Sequence, residues 1–158
     1  MYRTGIIGCG KVAHLHAKAL KHLPTSDFAA VYSRTLDKAK SFASEYGVNA
    51  YDNITEMVEK EKLDLVMVCT PHPNHLDPTL EAMAAGAHVI VEKPLASTLE
   101  DCDVMIAAGK KYNKKLGTIS QRRFYEPVIR LKKAIEDGKI GRPILGTINM
   151  LSWRDEKY

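Results

Sequence analysis

The chain has few cysteines, and they are not arranged to hold a small fold together. Its 158 residues include only Cys9, Cys69 and Cys102, an odd number with no Cys-x-x-Cys pair. This pattern argues against a disulfide framework, and it favours reduced thiols in a cytoplasmic protein. The histidines and acids also lack the spacing of metal ligands, so we expect no metal site.

Long apolar runs are absent as well. No segment approaches the roughly 18–20 consecutive apolar residues that span a bilayer. Residues typical of a strand begin within a few positions of Met1, so we expect no signal peptide. The composition, 45% hydrophobic and 27% charged, is that of a globular domain. We therefore expect no membrane partner.

The sequence also lacks a strong excess of one charge. Its net charge is +4, and the basic residues cluster at 110–115 and again at 122–133, where Glu126 interrupts them. Aromatic residues do not alternate with these basic ones, as they do in proteins that bind single-stranded nucleic acid. We interpret both clusters as solvated helix faces and expect no nucleic-acid partner.

What the chain does contain is an alternation of short apolar runs with segments of helical period. This alternation is typical of an α/β fold, a doubly wound parallel (Rossmann) sheet covered by helices, and we place it over residues 1–120. The predicted strands are 4–7, 28–32, 48–50, 64–69, 88–91 and 116–119. The predicted helices are 12–22, 36–46, 54–60, 76–85 and 99–112.

The alternation of predicted strands and helices ends after Ser120. Residues 122–125 lead into a predicted amphipathic helix with Val128, Leu131, Ile135 and Ile140 on one side. Gly138 and the Gly-Arg-Pro segment at 141–143 end this helix, and 144–151 predict a strand. We interpret residues 121–158 as the incomplete start of a second, α+β domain for substrate binding or oligomerisation. A lone strand needs partners, so we expect the chain to be part of a longer protein.

A glycine fingerprint lies at the start of the chain. The first predicted strand ends in Gly-x-Gly-x-x-Ala, with glycines at Gly8 and Gly10, and passes directly into a helix. In this context Gly8 allows a tight turn, and Gly10 lets the backbone approach a pyrophosphate. The first helical N–H groups, at Lys11 and Val12, would then face the phosphates. The alternative is a plain strand–helix turn.

The end of the second predicted strand is where a dinucleotide fold contacts the adenosine ribose. An acid there binds the 2′-hydroxyl of NAD, but this chain has Ser33 and Arg34 instead. Because Arg34 could pair with a 2′-phosphate or stack on adenine, the cofactor prediction is NAD or NADP, with NADP slightly favoured. The alternative is that Ser33 caps the next helix and Arg34 is solvated.

Two further segments follow predicted strand ends, where ligands of such sheets lie. One contains Thr70, Pro71 and His75, and the other contains Glu92 and Lys93 before a proline. Lys93 is suited to exchange a proton with a substrate hydroxyl during hydride transfer, and Glu92 could orient its ammonium group. The alternative is that Lys93 is a surface lysine beside a helix start.

Taken together, these motifs resemble the glucose–fructose oxidoreductase / inositol dehydrogenase / MocA family of NAD(P)-dependent oxidoreductases. The resemblance covers essentially the whole chain. The matching segments are GCGKVA at 8–13, CTP at 69–71 with His75, AGAHVIVEKP at 85–94 and QRRF at 121–124.

The resemblance implies a cofactor domain followed by a second domain that holds the substrate and often forms the oligomer interface, so a homo-oligomer is expected. It also implies that Lys93 is catalytic, that the Lys93–Pro94 bond is commonly cis, and that Arg123 is among the cofactor-binding residues. Family members act on sugars, sugar nucleotides and cyclitols. The chain departs from the family at Ser33, and it lacks the second-domain segment with an Asp and a His near the substrate.

We therefore expect an NAD(P)-dependent oxidoreductase that transfers a hydride between a nicotinamide cofactor and a secondary hydroxyl, with this chain supplying the cofactor-binding part. The alternative is a non-catalytic dinucleotide-binding module, such as a redox sensor or regulatory subunit. Retention of Lys93 favours the enzyme, because a module that only binds needs nothing beyond the fingerprint.

Overall fold

The computed structural model describes residues 1–153, 155 and 156. It divides into two compact units, Met1–Ser120 and Gln121–Tyr158. Three residues at the end of the second predicted domain, Arg154, Lys157 and Tyr158, lie outside the described residues. That the second unit begins a substrate or oligomerisation domain stays a prediction.

The first unit is a six-stranded parallel sheet in the order β3-β2-β1-β4-β5-β6. The strands are β1 (Tyr2–Ile7), β2 (Ser26–Tyr32), β3 (Asn49–Tyr51), β4 (Leu65–Val68), β5 (His88–Val91) and β6 (Leu116–Thr118). The helices between them are α1 (Lys11–His22), α2 (Leu36–Tyr46), α3 (Ile54–Glu61), α4 (Leu76–Ala84) and α5 (Leu99–Lys111). The α/β doubly wound prediction is confirmed.

Helices cover both faces of this sheet. Consecutive side chains of β1, Ile6 and Ile7, are both fully buried but belong to different apolar clusters, because successive residues of a strand point to opposite faces. One cluster includes buried residues of α1 and α2, and the other includes buried residues of α3, α4 and α5. This double burial explains why the strands are apolar runs rather than alternating patterns.

Local signals set the helix ends. The Asn53 side chain accepts a hydrogen bond from the N–H of Glu56 at 2.8 Å, and Thr98 accepts one from Asp101 at 3.1 Å, so each caps a helix. Gly47 ends α2 in the left-handed conformation that favours glycine. Within the described part of the chain, no helix has the length and apolar character that crossing a membrane requires.

In the second unit, α6 (Glu126–Glu136) follows a short 3-10 turn at Gln121–Phe124. Val128, Leu131 and Ile135 line one groove along α6 as expected, but the helix ends before Ile140. The prediction of a strand over 144–151 is wrong, since none of these described residues lies in a strand. Strand backbone needs a neighbouring strand to hydrogen-bond, and the described part of this unit contains none.

Candidate cofactor-binding site

A cleft of about 540 Å³ lies at the carboxyl ends of β1, β2 and β4. Two backbone bonds hold these strand ends together: the N–H of Gly8 donates to the carbonyl of Tyr32, and the N–H of Cys69 donates to the carbonyl of Ile7, each at 2.8 Å. Strands β2 and β3 lie on one side of β1, and β4, β5 and β6 lie on the other. Doubly wound sheets bind ligands at this switch in strand order, between β1 and β4.

Gly8 forms the tight turn that opens the cleft. Its φ is +107°, a conformation that residues with a side chain rarely adopt. A Cβ there would lie 3.0 Å from the carbonyl carbon and oxygen of Cys69, so that backbone would have to move by a few tenths of an ångström. Glycine is therefore required at position 8 for both conformation and space.

Gly10 has a different role, as the residue that precedes α1. Its φ of −86° is ordinary, and a Cβ built on it would meet nothing within 4 Å. Among the described residues no side chain caps the amino end of α1, and its first turn carries no acid. The N–H groups that begin this helix are thus available to an anion, which fits the pyrophosphate of a dinucleotide.

The part of the cleft beside Tyr32, where the adenosine ribose is predicted to bind, has mixed charge. Arg34 is exposed there, and Ser33 Oγ accepts a hydrogen bond from the N–H of Thr35 at 3.3 Å. Burial raises the pKa of Tyr32, the nearby charge of Glu81 raises it further, and Arg34 opposes them. This bond does not cap α2, because Thr35 is the N-cap residue of that helix and no side chain in the described part of the chain caps it. Ser33 lines the cleft instead.

Two thiols line the cleft without being nucleophiles. Burial raises the pKa of Cys9 to about 11 and that of Cys69 to about 12, so both are protonated at neutral pH. Cys9 Sγ lies 3.7 Å from the carbonyl oxygen of Tyr32, to which it donates. In the described part of the chain, no group of three or more His, Cys, Asp or Glu side chains could hold a metal ion.

His75 is fully buried rather than facing the cleft. Its Nδ1 lies 2.9 Å from the carbonyl oxygen of Pro94, and its Nε2 lies 2.9 Å from that of Thr70. With no exposed surface, the ring could contact a cofactor only after a rearrangement. What the geometry shows instead is a link between the Thr70–Pro71 segment and the Glu92–Lys93–Pro94 segment.

Glu92 has a different partner from the one expected. Its Oε1 accepts from His16 Nε2 at 2.8 Å, and its Oε2 accepts from the backbone N–H of Lys93 at 3.0 Å. The expected pairing of Glu92 with the Lys93 ammonium is therefore replaced by one with His16. Lys93 itself is exposed, and its bond to Pro94 is cis, as the resemblance implied.

The cleft brings together most of the residues that the sequence predicted for the cofactor. Those lining it are Gly8, Gly10, Lys11, Val12, Ser33, Arg34, Thr70 and Pro71. His75, Glu92 and Lys93, which were also predicted to bind the cofactor, are not among the described residues that line the cleft. Arg123 belongs to the second unit and is exposed, so its cofactor contact stays a prediction.

The sequence reasoning missed one wall of the cleft. Ile54 is the first residue of α3, while Asp77, Pro78 and Glu81 lie on α4. Glu81 Oε1 accepts from both the N–H and the hydroxyl of Thr55, at 3.1 and 3.0 Å, which joins the two helices at this wall. No local pattern in the sequence marks these residues as lining the same cleft as Ser33.

The model of an oxidoreductase family with an NAD-binding Rossmann fold, GFO_IDH_MocA, matches residues 2–119. The chain belongs to this family. It is 34% identical over 142 residues to a myo-inositol 2-dehydrogenase from Thermotoga maritima, a match that covers 89% of this chain and 42% of that protein. The chain thus spans less than half the length of that relative.

Solved structures show the same family fold. The WlbA dehydrogenase from Bordetella pertussis, in complex with NADH and UDP-GlcNAcA, is 27% identical with a TM-score of 0.82, covering 89% of this chain and 44% of that one. Scyllo-inositol dehydrogenase from Lactobacillus casei, with bound NAD(H) and scyllo-inositol, is 26% identical with a TM-score of 0.81, covering 89% and 42%. The recognition of the family from the motifs is confirmed.

Proposed function

We propose that the protein containing this chain is an NAD(P)-dependent oxidoreductase, and that the chain supplies its cofactor-binding part. The substrate class is a sugar, sugar nucleotide or cyclitol with a reacting secondary hydroxyl, as the names of the family relatives suggest. The observation that carries the proposal is the cleft at the uncapped start of α1, where Gly10 leaves open space beside free N–H groups.

In this proposal the start of α1 binds the cofactor and Lys93 transfers the proton. Gly8 sets the turn, Gly10 admits a pyrophosphate, and the backbone N–H groups of Lys11 and Val12 donate to it. The bound nicotinamide would accept or supply the hydride. Lys93 Nζ exchanges the proton of the substrate hydroxyl, which a flexible, exposed amine at a strand end can reach.

Replacement of the lysine tests this role. Lys93→Ala in the full-length protein is expected to lower kcat at least about a hundredfold, because an acid–base group contributes that much, while NADH binding is retained. The matched control is Lys18→Ala, which removes an exposed lysine of α1 outside the cleft lining. Turnover that survives Lys93→Ala would overturn the catalytic assignment.

One observation favours the second candidate, a non-catalytic dinucleotide-binding module. Every residue that lines the cleft lies between Gly8 and Glu81, so the cleft itself is built without Lys93 and without the second unit. An NADH fluorescence titration combined with a turnover assay separates the two functions. A full-length protein that binds NADH but turns over no sugar, sugar nucleotide or cyclitol belongs to the second class.

For the cofactor we keep NADP as slightly favoured over NAD. Support comes from the exposed Arg34 and from the lack of an acid at Ser33, while the charges of Glu81 and Asp52 near Tyr32 act in the opposite sense. Arg34→Ala is expected to weaken NADPH binding about tenfold or more and to leave NADH binding little changed. Equal weakening of both would indicate stacking of Arg34 on adenine instead.

Two further proposals concern the protein's setting. The three cysteines are free, which suits a reducing, cytoplasmic compartment. We also propose a homo-oligomer, by analogy with the family's second domain. Light scattering on the full-length protein measures its mass directly, and a monomer would contradict the proposal.

A further inference from the structure

A hydrogen bond joins the helix of the glycine fingerprint to the segment that carries Lys93. His16 on α1 and Glu92 after β5 are 76 residues apart, and His16 Nε2 lies 2.8 Å from Glu92 Oε1. Their side chains are only 16% and 15% exposed. A carboxylate with so little access to water needs a partner in the protein, and His16 is that partner.

The second carboxylate oxygen of Glu92 acts on the neighbouring residue. Its Oε2 accepts the backbone N–H of Lys93 at 3.0 Å. One carboxylate therefore connects a side chain of α1 with the backbone of the proposed catalytic lysine. On the other side of Lys93, buried His75 bonds the carbonyl of Pro94.

His16 lies near the end of α1 that faces the cleft, so its contact with Glu92 connects the cleft to the Lys93 segment. It lies five residues after Lys11, about 7.5 Å along the axis from the helix start that faces the cleft. His14 on the same helix has a different partner, since its Nδ1 bonds the hydroxyl of Tyr46 on α2 at 2.7 Å. Only His16 of these two connects α1 to the lysine segment.

We infer that His16 is a positioning residue, which acts through Glu92 to hold Lys93 at a set distance from the cofactor cleft. The inference rests on the proposed function, because it assigns Lys93 the proton transfer. Misplacement of a reacting group by about 1 Å can cost about a hundredfold in rate, so this contact is expected to affect turnover more than binding.

The test is steady-state kinetics of the full-length protein with NAD⁺ or NADP⁺ and four probes that cover the proposed substrate class: myo-inositol, scyllo-inositol, glucose 6-phosphate and UDP-GlcNAcA. His16→Leu, which removes the donor, is expected to lower kcat about ten- to a hundredfold and to change the KM for the cofactor less than about threefold. His16→Gln is expected to restore most of the activity, because its amide N–H can take the place of Nε2. His14→Leu is the matched control and should keep the wild-type kcat.

Each other outcome has a defined meaning. A wild-type kcat in folded His16→Leu, together with loss of activity in Lys93→Ala, would overturn the positioning role alone. Absence of rescue by His16→Gln, or an equal loss in His14→Leu, would reduce His16 to a packing residue. Should His16→Leu fail to fold, His16→Asn replaces it, since its amide is too short to reach Glu92. No turnover of any probe by wild type, or full turnover by Lys93→Ala, would overturn the proposed function itself.

Discussion

The two fingerprint glycines should respond in opposite ways to the same substitution, since only one of them has room for a side chain. In Gly8→Ala the new Cβ lies 3.0 Å from the carbonyl atoms of Cys69, at a φ of +107°. In Gly10→Ala it meets nothing within 4 Å, at a φ of −86°. One variant therefore tests the fold and the other tests the cleft.

The magnitudes follow from these two environments. A non-glycine residue in so strained a backbone conformation costs about 1–3 kcal/mol. The overlap with the backbone after β4 adds about 1–3 kcal/mol, because the Cys69 N–H bond to Ile7 holds that backbone in place. Gly8→Ala should thus lower the free energy of unfolding by about 2–6 kcal/mol. Gly10→Ala should cost less than about 1 kcal/mol, the difference between glycine and alanine before a helix.

Thermal unfolding followed by circular dichroism, and NADH fluorescence titration, separate the two effects. Gly8→Ala should lower the Tm by at least about 4 °C. Gly10→Ala should keep its Tm but bind NADH at least about tenfold more weakly, because its methyl group occupies the space left for the pyrophosphate. A wild-type Tm for Gly8→Ala would refute the steric argument, and wild-type NADH affinity in Gly10→Ala would refute the placement of the cofactor.

Two further predictions concern stability. Tyr51 donates to Glu61 Oε1 at 2.6 Å, and burial together with that carboxylate raises the pKa of Tyr51 to about 12. The protonated Tyr51 contributes fully to the free energy of unfolding below about pH 10, and this contribution is lost as the pH rises through about 12. The urea midpoint of wild type should therefore exceed that of Tyr51→Phe at pH 8 and approach it at pH 11. A difference between the two midpoints that stays constant with pH would contradict this. Thr98→Ala removes the cap on α5 and should cost about 1 kcal/mol, measured by urea unfolding, with Ser97→Ala as the neighbouring control.

Local pattern predicted the elements of the first unit well. β5 was expected at 88–91 and is formed by His88–Val91, because a buried apolar run lies between Gly86 and the charged Glu92. β4 was expected at 64–69 but spans Leu65–Val68, since its ladder with β1 runs only from Thr4 to Ile7. Strand ends depend on the partner strand, which the sequence does not name.

The failed strand over 144–151 shows the same limit more sharply. Its apolar residues fit a strand, yet Ile144, Leu145 and Leu151 are all exposed in the structure. Propensity supplies a preference for extended backbone, but a strand forms only when a neighbour satisfies its N–H and C=O groups.

By itself the sequence determined the alternation of strands and helices, the glycine turn and the family, because apolar period, caps and motifs all act over a few residues. Tertiary structure alone decided that Glu81 would line the cleft and act on Tyr32, and that Glu92 would pair with His16 rather than with Lys93. The physical reason is the strand order. Placing β4 beside β1 and β5 beside β4 brings His16 and Glu92, 76 positions apart, into contact, and no local pattern encodes that they will meet.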